Sequence, residues 1–255
     1  MIVFDRVSFS YGTKAVLKDV SFSIKGNERV AILGESGEGK TTVLKLMLGL
    51  LKPDSGRILI DDEDITEKTE SDLRQIRLKL SIVFQEGALF DSLNVKENVA
   101  FCLREYSRMS EEEIDQRVRE LLGRVGMEDA LNLMPEELSG GMHRRVAIVR
   151  SLAACEPRMF LYDEPTSGLD PVNAATICQL IFDLSKDGRG FVIVTHKMMD
   201  ALKVANRFIF FKLGVVVFDG NEEDLVKTSV PEVLAFLSDL NFDLKASTDF
   251  QKQEA

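Results

Sequence analysis

The N-terminal part of the chain alternates apolar and polar residues, as β-strands with one buried face do. The alternation runs over Ile2–Tyr11 and again over residues 20–25, and it predicts an antiparallel pair of strands. The pattern then changes, because the apolar run Arg29–Leu33 leads into a glycine-rich turn and apolar residues recur at helical spacing up to Leu51. This succession predicts a strand, a tight loop and a helix.

Four further short apolar runs indicate buried strands of a mainly parallel sheet. They cover residues 80–84, 159–162, 191–195 and 208–211. Between residues 95 and 156 the strand pattern disappears, and Ser110 and Glu113 form a capping box ahead of apolar residues at helical spacing. We therefore predict an α/β fold with an antiparallel β-subdomain and an inserted helical subdomain at about 95–156.

The C-terminal part carries two short helical patterns, at residues 222–227 and 231–240, and then turns polar. We place the ordered domain at 1–240 and a polar tail at 241–255. Within the tail, residues 245–255 are expected to be mobile.

The composition limits the kinds of partner. Of the 255 residues, 45% are apolar, which is enough for a sizeable core. The formal net charge of −10 argues against a general nucleic-acid or anionic-membrane binder. Three cysteines without a CxxC pair suggest no zinc site or disulfide framework, and Cys102, Cys155 and Cys178 are predicted to be buried small apolar residues.

The hydropathy pattern predicts a cytosolic or peripheral chain. The first residues carry charge and lack an apolar signal core. The most apolar late stretch, residues 208–218, is interrupted by Lys212 and Gly214 and is well below the ~20 residues that a membrane helix needs. Any membrane span must then come from another chain.

The glycine-rich turn carries a phosphate-binding motif. Gly34-x-x-x-x-Gly39-Lys40-Thr41 lies between a predicted strand and helix, as that mechanism requires. Backbone N–H groups and the helix N-terminus face the phosphates, the lysine reaches the β- and γ-phosphates, and the threonine hydroxyl binds Mg²⁺. The candidate nucleotide-binding residues here are Gly34, Ser36, Gly37, Gly39, Lys40, Thr41 and Thr42.

A second candidate element is the apolar run that ends in Asp163 and Glu164. Asp163 is suited to hold Mg²⁺ through water, and Glu164 to orient the attacking water. Alone, such a pair is most often a solvated strand end. Together with the phosphate-binding loop, it becomes the expected second half of a nucleotide site.

The sequence LSGGM at residues 138–142 resembles the LSGGQ signature of ABC ATPases, with Met142 in place of the usual glutamine. In that family the signature contacts the γ-phosphate bound to the opposite protomer. The residue types suit this role, because Ser139 is a good N-cap and Gly140 and Gly141 allow close backbone approach to an anion.

The resemblance to ABC ATPases extends from residue 2 to about residue 240, with the motifs in the family's order. It implies that Tyr11 stacks on adenine and that Gln85 touches Mg²⁺ and reports to the permease. Asp170 belongs to the loop that crosses the dimer interface, and His196 contacts the γ-phosphate. Lys197 is a departure, because many relatives carry an acid there.

The resemblance thus implies an ATPase that binds ATP and Mg²⁺ between two head-to-tail copies. Hydrolysis would proceed by in-line attack of water. The implied catalytic residues are Lys40, Gln85, Glu164 and His196. The implied metal ligands are Thr41, Gln85 and Asp163.

The stretch QEGALFDSLNV at residues 85–95, together with LSGGM, resembles the ATPases of Mla-type phospholipid transporters. Such a subunit works with a permease, an MCE-domain lipid-binding protein and a small accessory protein. It lies on the cytoplasmic face of the inner membrane and drives phospholipid transport to or from periplasmic carriers. Leu89 and Phe90 would give the permease apolar contacts, unless they fill the junction between lobes.

Two alternatives stay open at this stage. An ATPase of an amino-acid or other solute importer would share every catalytic motif. A soluble, non-transport ABC ATPase of DNA repair, translation or iron–sulfur assembly would act as a nucleotide-gated clamp, although the acidic charge balance weighs against nucleic-acid partners.

Overall fold

The computed structural model describes residues 2–153, 157–186 and 188–239. The fold is α/β, as predicted. The strands are β1 Ile2–Tyr11, β2 Lys14–Ile24, β3 Arg29–Leu33, β4 Ser55–Ile60, β5 Glu63–Asp64, β6 Leu80–Val83, β7 Met159–Asp163, β8 Gly190–Thr195, β9 Arg207–Lys212 and β10 Val215–Gly220. The helices are α1 Lys40–Met47, α2 Glu70–Arg77, α3 Val95–Tyr106, α4 Glu111–Gly123, α5 Gly140–Ala153, α6 Pro171–Ser185, α7 Met198–Val204, α8 Glu222–Val226 and α9 Pro231–Asp239.

The chain divides into two compact units. The first unit consists of Met1–Glu67 and Val194–Ala255, and the second unit is Lys68–Ile193. The separate helical subdomain at about 95–156 stays a prediction. The expected mobile tail lies outside the described residues.

The first unit contains an antiparallel sheet with strand order β2-β1-β4-β5. The predicted pairing of the first two strands is confirmed, with Ile2 opposite Ile24 and Tyr11 opposite Lys14. Alternate side chains form a buried face, on which the rings of Phe4 and Phe22 stack at 4.7 Å. The second strand begins at Lys14 rather than at residue 20, because most of the side chains in its first half are exposed and give little apolar signal.

The first unit also contains β3, β9 and β10, in the order β10-β9-β3. The β3–β9 pair is parallel and the β9–β10 pair is antiparallel. Burial of nearly every residue of β3 and β9 explains their continuous apolar runs. Helix α1 ends at Met47 instead of Leu51, because Gly49 takes a left-handed conformation with φ +62°.

The second unit contains three neighbouring strands in the order β8-β7-β6, with the division between the units falling inside β8. The β6–β7 pair is parallel, as expected. Helices α3, α4 and α5 pack on one another. The predicted capping box is present, since Ser110 accepts from the backbone N–H of Glu113 and the Glu113 carboxylate accepts from that of Ser110.

The cysteine predictions have mixed outcomes. Cys178 is buried, Cys102 is half-buried, and Cys155 lies outside the described residues. Across the part of the chain that the structure describes, no helix is long and apolar enough to cross a membrane.

Candidate active site

The phosphate-binding loop connects β3 to α1 in the first unit. Gly34 has φ +152°, and a Cβ added there would lie 2.6 Å from the carbonyl oxygen of Phe211. Gly39 has φ +90°, and its added Cβ would lie 2.9 Å from Cγ1 of Val16. Both positions therefore require glycine for steric and conformational reasons.

The Lys40 side chain bonds back to the backbone of the loop that precedes it. Its Nζ donates to the carbonyl oxygens of Gly34 and Glu35, at 2.9 Å in each case. The Lys40 side chain is buried, so these bonds offset part of the cost of desolvating its ammonium group. The lysine that the motif predicts is thus held over the loop backbone.

The N-terminus of α1 faces the same loop. Its N-cap residue, Gly39, supplies no side-chain cap, and its first turn contains no acidic residue. Thr41 is half-buried and Thr42 is buried in this turn, whereas Ser36 and Gly37 are exposed in the loop. Backbone N–H groups and the positive end of the helix dipole are therefore offered to an anion.

Two further predicted residues of the first unit are Tyr11 and His196. Tyr11 ends β1 with 48% of its surface exposed, and its ring meets the ring of Phe9 edge-on at 4.8 Å. His196 follows β8 and is half-buried. Next to it, the backbone N–H of Lys197 donates to the hydroxyl of Thr195 at 3.0 Å, which fixes the turn into α7.

Asp163 and Glu164 lie at the carboxyl end of β7 in the second unit. Asp163 is 4% exposed and Glu164 is 8% exposed. Glu164 adopts φ +47°, which a residue with a Cβ rarely takes and which costs about 1–2 kcal/mol. Two buried carboxylates on a strained strand end do not fit the alternative of a solvated strand end.

Gln85 follows β6, and the structure brings it to the loop after β7. Its side-chain amide donates to the hydroxyl of Ser167 at 3.5 Å. Arg144 of α5 donates to the carbonyl of Phe84 at 2.9 Å. Burial lowers the pKa of Arg144, while the negative charges of Asp163 and Glu86 oppose that shift.

The signature residues begin α5. The hydroxyl of Ser139 accepts from the N–H of Met142 at 3.3 Å, which caps the helix as predicted. A Cβ added to Gly140 would only touch Leu169, at 3.5 Å, whereas one added to Gly141 would lie 2.6 Å from Oδ1 of Asn173. A larger residue at position 141 would therefore require the Asn173 side chain to move.

Asp170 has a local role in the structure. Its carboxylate caps α6 by accepting from the backbone N–H groups of Val172 and Asn173, and it also accepts from the Asn173 side chain at 2.6 Å. These bonds, with that from the Asn173 side chain first, lower the pKa of Asp170. Its part in nucleotide binding stays a prediction.

Residues 87–90, which we call the 87–90 segment, are held by a residue that the sequence analysis missed. Arg150 of α5 donates to the carbonyls of Ala88 at 2.7 Å and Gly87 at 3.2 Å, and its guanidinium lies 5.5 Å from the ring centroid of Phe90. Its only sequence signal is a basic residue in the largely apolar C-terminal part of α5, residues 146–153. Leu89 is buried, whereas Phe90 is 42% exposed.

Comparison with known proteins identifies the class. Residues 17–167 match the ABC transporter family, and the chain belongs to that family. It is an ABC ATPase. The solved dimeric cassette MJ0796, in a post-hydrolysis state with ADP and Pi, superposes with a TM-score of 0.80 at 36% identity, over 87% of this chain and 98% of that one.

Three relatives show which ABC ATPases this chain is similar to. MlaF of Escherichia coli, an intermembrane phospholipid transport ATP-binding protein, is 37% identical over 91% of this chain and 86% of its own length. TRIGALACTOSYLDIACYLGLYCEROL 3 of Arabidopsis thaliana is 39% identical over 89% and 70%. The probable ribonucleotide transport ATP-binding protein Mkl of Mycobacterium tuberculosis is 40% identical over 90% of this chain, which spans 64% of that protein.

Proposed function

We propose that this chain hydrolyses ATP to drive phospholipid transport between the inner membrane and periplasmic MCE-type carriers. It acts at the cytoplasmic face of that membrane, paired with a second copy of itself and bound to permease subunits. An MCE-domain protein and a small accessory protein complete the complex. The observation that carries the proposal is similarity to MlaF over most of both chains, together with the QEGALF stretch at residues 85–90.

The first unit contributes the phosphate-binding part of the proposed site. Lys40 is held by two loop carbonyls within hydrogen-bond reach of its Nζ, so it is positioned over the loop that binds the β- and γ-phosphates. Tyr11 offers an exposed ring on which adenine stacks. His196 contributes a hydrogen bond to the γ-phosphate.

Mg²⁺ fits the donor set assigned to it. Thr41, Gln85 and Asp163 offer a hydroxyl, an amide oxygen and a carboxylate, which are the hard oxygen donors that this ion prefers. The Asp163 carboxylate is buried near the positive charge of Arg144, and a carboxylate oxygen is a donor that Mg²⁺ binds well. When bound, Mg²⁺ neutralises part of the charge on the phosphates.

The second unit contributes the hydrolytic part. Glu164, held at the end of β7, orients and activates the attacking water. Gln85 is linked to the loop after β7 through its contact with Ser167. Ser139, Gly140 and Gly141 act on the ATP held by the other copy, and Asp170 stabilises the loop that faces that copy.

The permease contact is proposed at Phe90. Its exposed ring packs against that of Phe101, 45% exposed, with the centroids 4.8 Å apart. The guanidinium of Arg150, on α5, also contacts the Phe90 ring. An exposed aromatic pair on rigid supports is a typical anchor for a partner helix. Leu89, being buried, contributes through packing only.

Purification from native membranes tests this function. The tagged chain is extracted in mild detergent, and bound proteins and lipids are identified by mass spectrometry. We expect a permease, an MCE-domain protein and phospholipid. The Phe90→Ala variant should lose the permease, whereas Tyr106→Ala, which removes an equally exposed aromatic of α3, should retain it.

A second candidate comes from the Mkl similarity, since that relative is named for ribonucleotide transport. Recovery with a permease that carries nucleotides or another solute would replace the lipid proposal and leave the ATPase activity standing. Recovery without any membrane partner would favour a soluble, non-transport ABC ATPase.

A further inference from the structure

The phosphate-binding loop of this chain contains two acidic residues, Glu35 and Glu38, at its variable positions. A nucleotide bound there brings several negative charges close to these carboxylates. Like charges at short range repel, and the repulsion is strongest where water screens least. The loop therefore needs a compensating cation in addition to the lysine that faces the phosphates.

Lys212, the last residue of β9, supplies that cation. Its Nζ forms an ion pair with Oε1 of Glu35 and lies 3.8 Å from Oε1 of Glu38. The backbone explains the proximity, because Gly34 packs directly against the carbonyl of Phe211, the residue before Lys212. One ammonium group therefore lies close to both carboxylates of the loop.

The two ion pairs differ in strength. The Glu38 side chain is only 11% exposed, and that of Lys212 is 31% exposed, so this interaction is weakly screened. The Glu35 side chain is 60% exposed, and pairs at such positions contribute little. The dominant effect of Lys212 is thus expected through Glu38.

We propose that Lys212 is a positioning residue for nucleotide binding, which neutralises Glu35 and Glu38 so that the loop accepts the phosphates of ATP. The inference rests on the proposed role of this loop in ATP binding. A purely structural role, fixing the turn between β9 and β10, would not distinguish ATP from ADP and would not depend on the two glutamates.

Calorimetric titration of the purified chain with ATP and with ADP, without Mg²⁺ so that no turnover occurs, tests the proposal. The variants are Lys212→Met, Lys212→Arg, Glu38→Gln, and Lys212→Met combined with Glu35→Gln and Glu38→Gln. Lys52→Met is the matched control, because it removes the same charge from an exposed pair with Glu67, 3.4 Å apart, outside the loop. Each titration is repeated at high salt.

We expect Lys212→Met to weaken ATP binding about tenfold, the order of uncompensated charges near a protein surface, and ADP binding less. The loss should shrink at high salt. Lys212→Arg and Lys52→Met should bind ATP within about twofold of wild type. The triple variant should bind ATP at least as tightly as wild type, because charge near the loop decides the affinity and its loop carries no net negative charge. Glu38→Gln should bind ATP more tightly than wild type.

Three outcomes would overturn the inference. ATP affinity of Lys212→Met equal to that of wild type removes its basis. A triple variant that binds ATP as weakly as Lys212→Met assigns the lysine a structural role. Failure of Glu38→Gln to bind ATP more tightly than wild type also overturns the inference, even if Lys212→Met does not fold. Absence of ATP binding in the wild-type chain would instead refute the proposed function, and the inference with it.

Discussion

The phosphate-binding loop and the 87–90 segment are both short connections with left-handed residues, but they are held in different ways. The loop is shaped from within, by glycines and by Lys40 bonding to carbonyls five and six residues away. The 87–90 segment is shaped from outside, by Arg150, which lies 62 residues from Ala88 in the chain. Lys40 thus acts on the loop through local bonds, whereas Arg150 acts on the 87–90 segment through tertiary bonds.

We propose that the difference reflects two roles, ATP binding by the loop and permease contact by the 87–90 segment. A loop that must present the same N–H groups to every nucleotide benefits from a shape that its own residues impose. A segment that responds to a partner benefits from being fastened to another element, because displacement of one then moves the other. Ala88 at φ +48° stores strain that the Arg150 bonds offset.

The largest expected effect is on the rate of ATP hydrolysis, which depends on Glu164, whereas ATP binding depends on Lys40. Glu164→Gln should keep ATP binding and lower kcat about 100-fold to 10,000-fold, since it removes the group that orients water. Lys40→Ala should weaken ATP binding itself. Steady-state ATPase assays and ATP titrations on both variants check this. Near-normal turnover in Glu164→Gln would refute the assignment of Glu164.

Three glycine-to-alanine variants test whether close packing requires glycine at position 34 of the loop. Gly34→Ala should lower the free energy of unfolding by about 2–4 kcal/mol, since its Cβ meets the Phe211 carbonyl in addition to the strain of positive φ. Gly37→Ala, with φ +89° and open space, should cost about 1–2 kcal/mol. Gly26→Ala, which meets nothing, is the control. Urea unfolding measures all three, and equal losses at Gly34 and Gly37 would contradict the packing argument.

The sequence was sufficient where the determinants are local. Neighbouring residues determine the strand–loop–helix succession, the Ser110 capping box and the buried strands, and the structure confirms these elements. Strand β4 was missed because it is short and its first three residues are glycine or polar, so it carries little apolar signal. Arg150 and Lys212 were missed because what they bind lies far away in the chain.

Replacing Arg150 tests whether its contacts hold the 87–90 segment in place. Arg150→Met should cost about 1–2 kcal/mol of stability, through two lost hydrogen bonds and the contact with Phe90. Amide hydrogen exchange in residues 86–92 should rise more than elsewhere in the second unit. Arg119→Met, which breaks only an exposed pair with Asp115 at 2.8 Å, should change neither by much. Unchanged exchange in residues 86–92 would show that Arg150 is not needed to hold the segment.

The smallest expected effect concerns His143, whose ring lies against the same segment. A Cβ added to Gly87 would be 2.9 Å from its Nδ1. Burial lowers the pKa of His143 below its ordinary value of 6.5, the positive charges of Arg144 and Arg150 act in the same direction, and Asp91 opposes them. Protonation is therefore less favourable in the folded chain than in the unfolded one.

A base with a lowered pKa binds fewer protons in the folded state, so stability is retained above pH 6.5 and falls as the pH drops below it. His143→Gln removes this dependence. We expect the drop in Tm between about pH 7.5 and about pH 5.5 to be smaller in the variant than in wild type by less than about 3 °C. His196→Gln, which removes the other histidine of the chain, is the matched control for calorimetry. An identical drop in Tm in wild type and His143→Gln would show that protonation of His143 does not destabilise the folded chain.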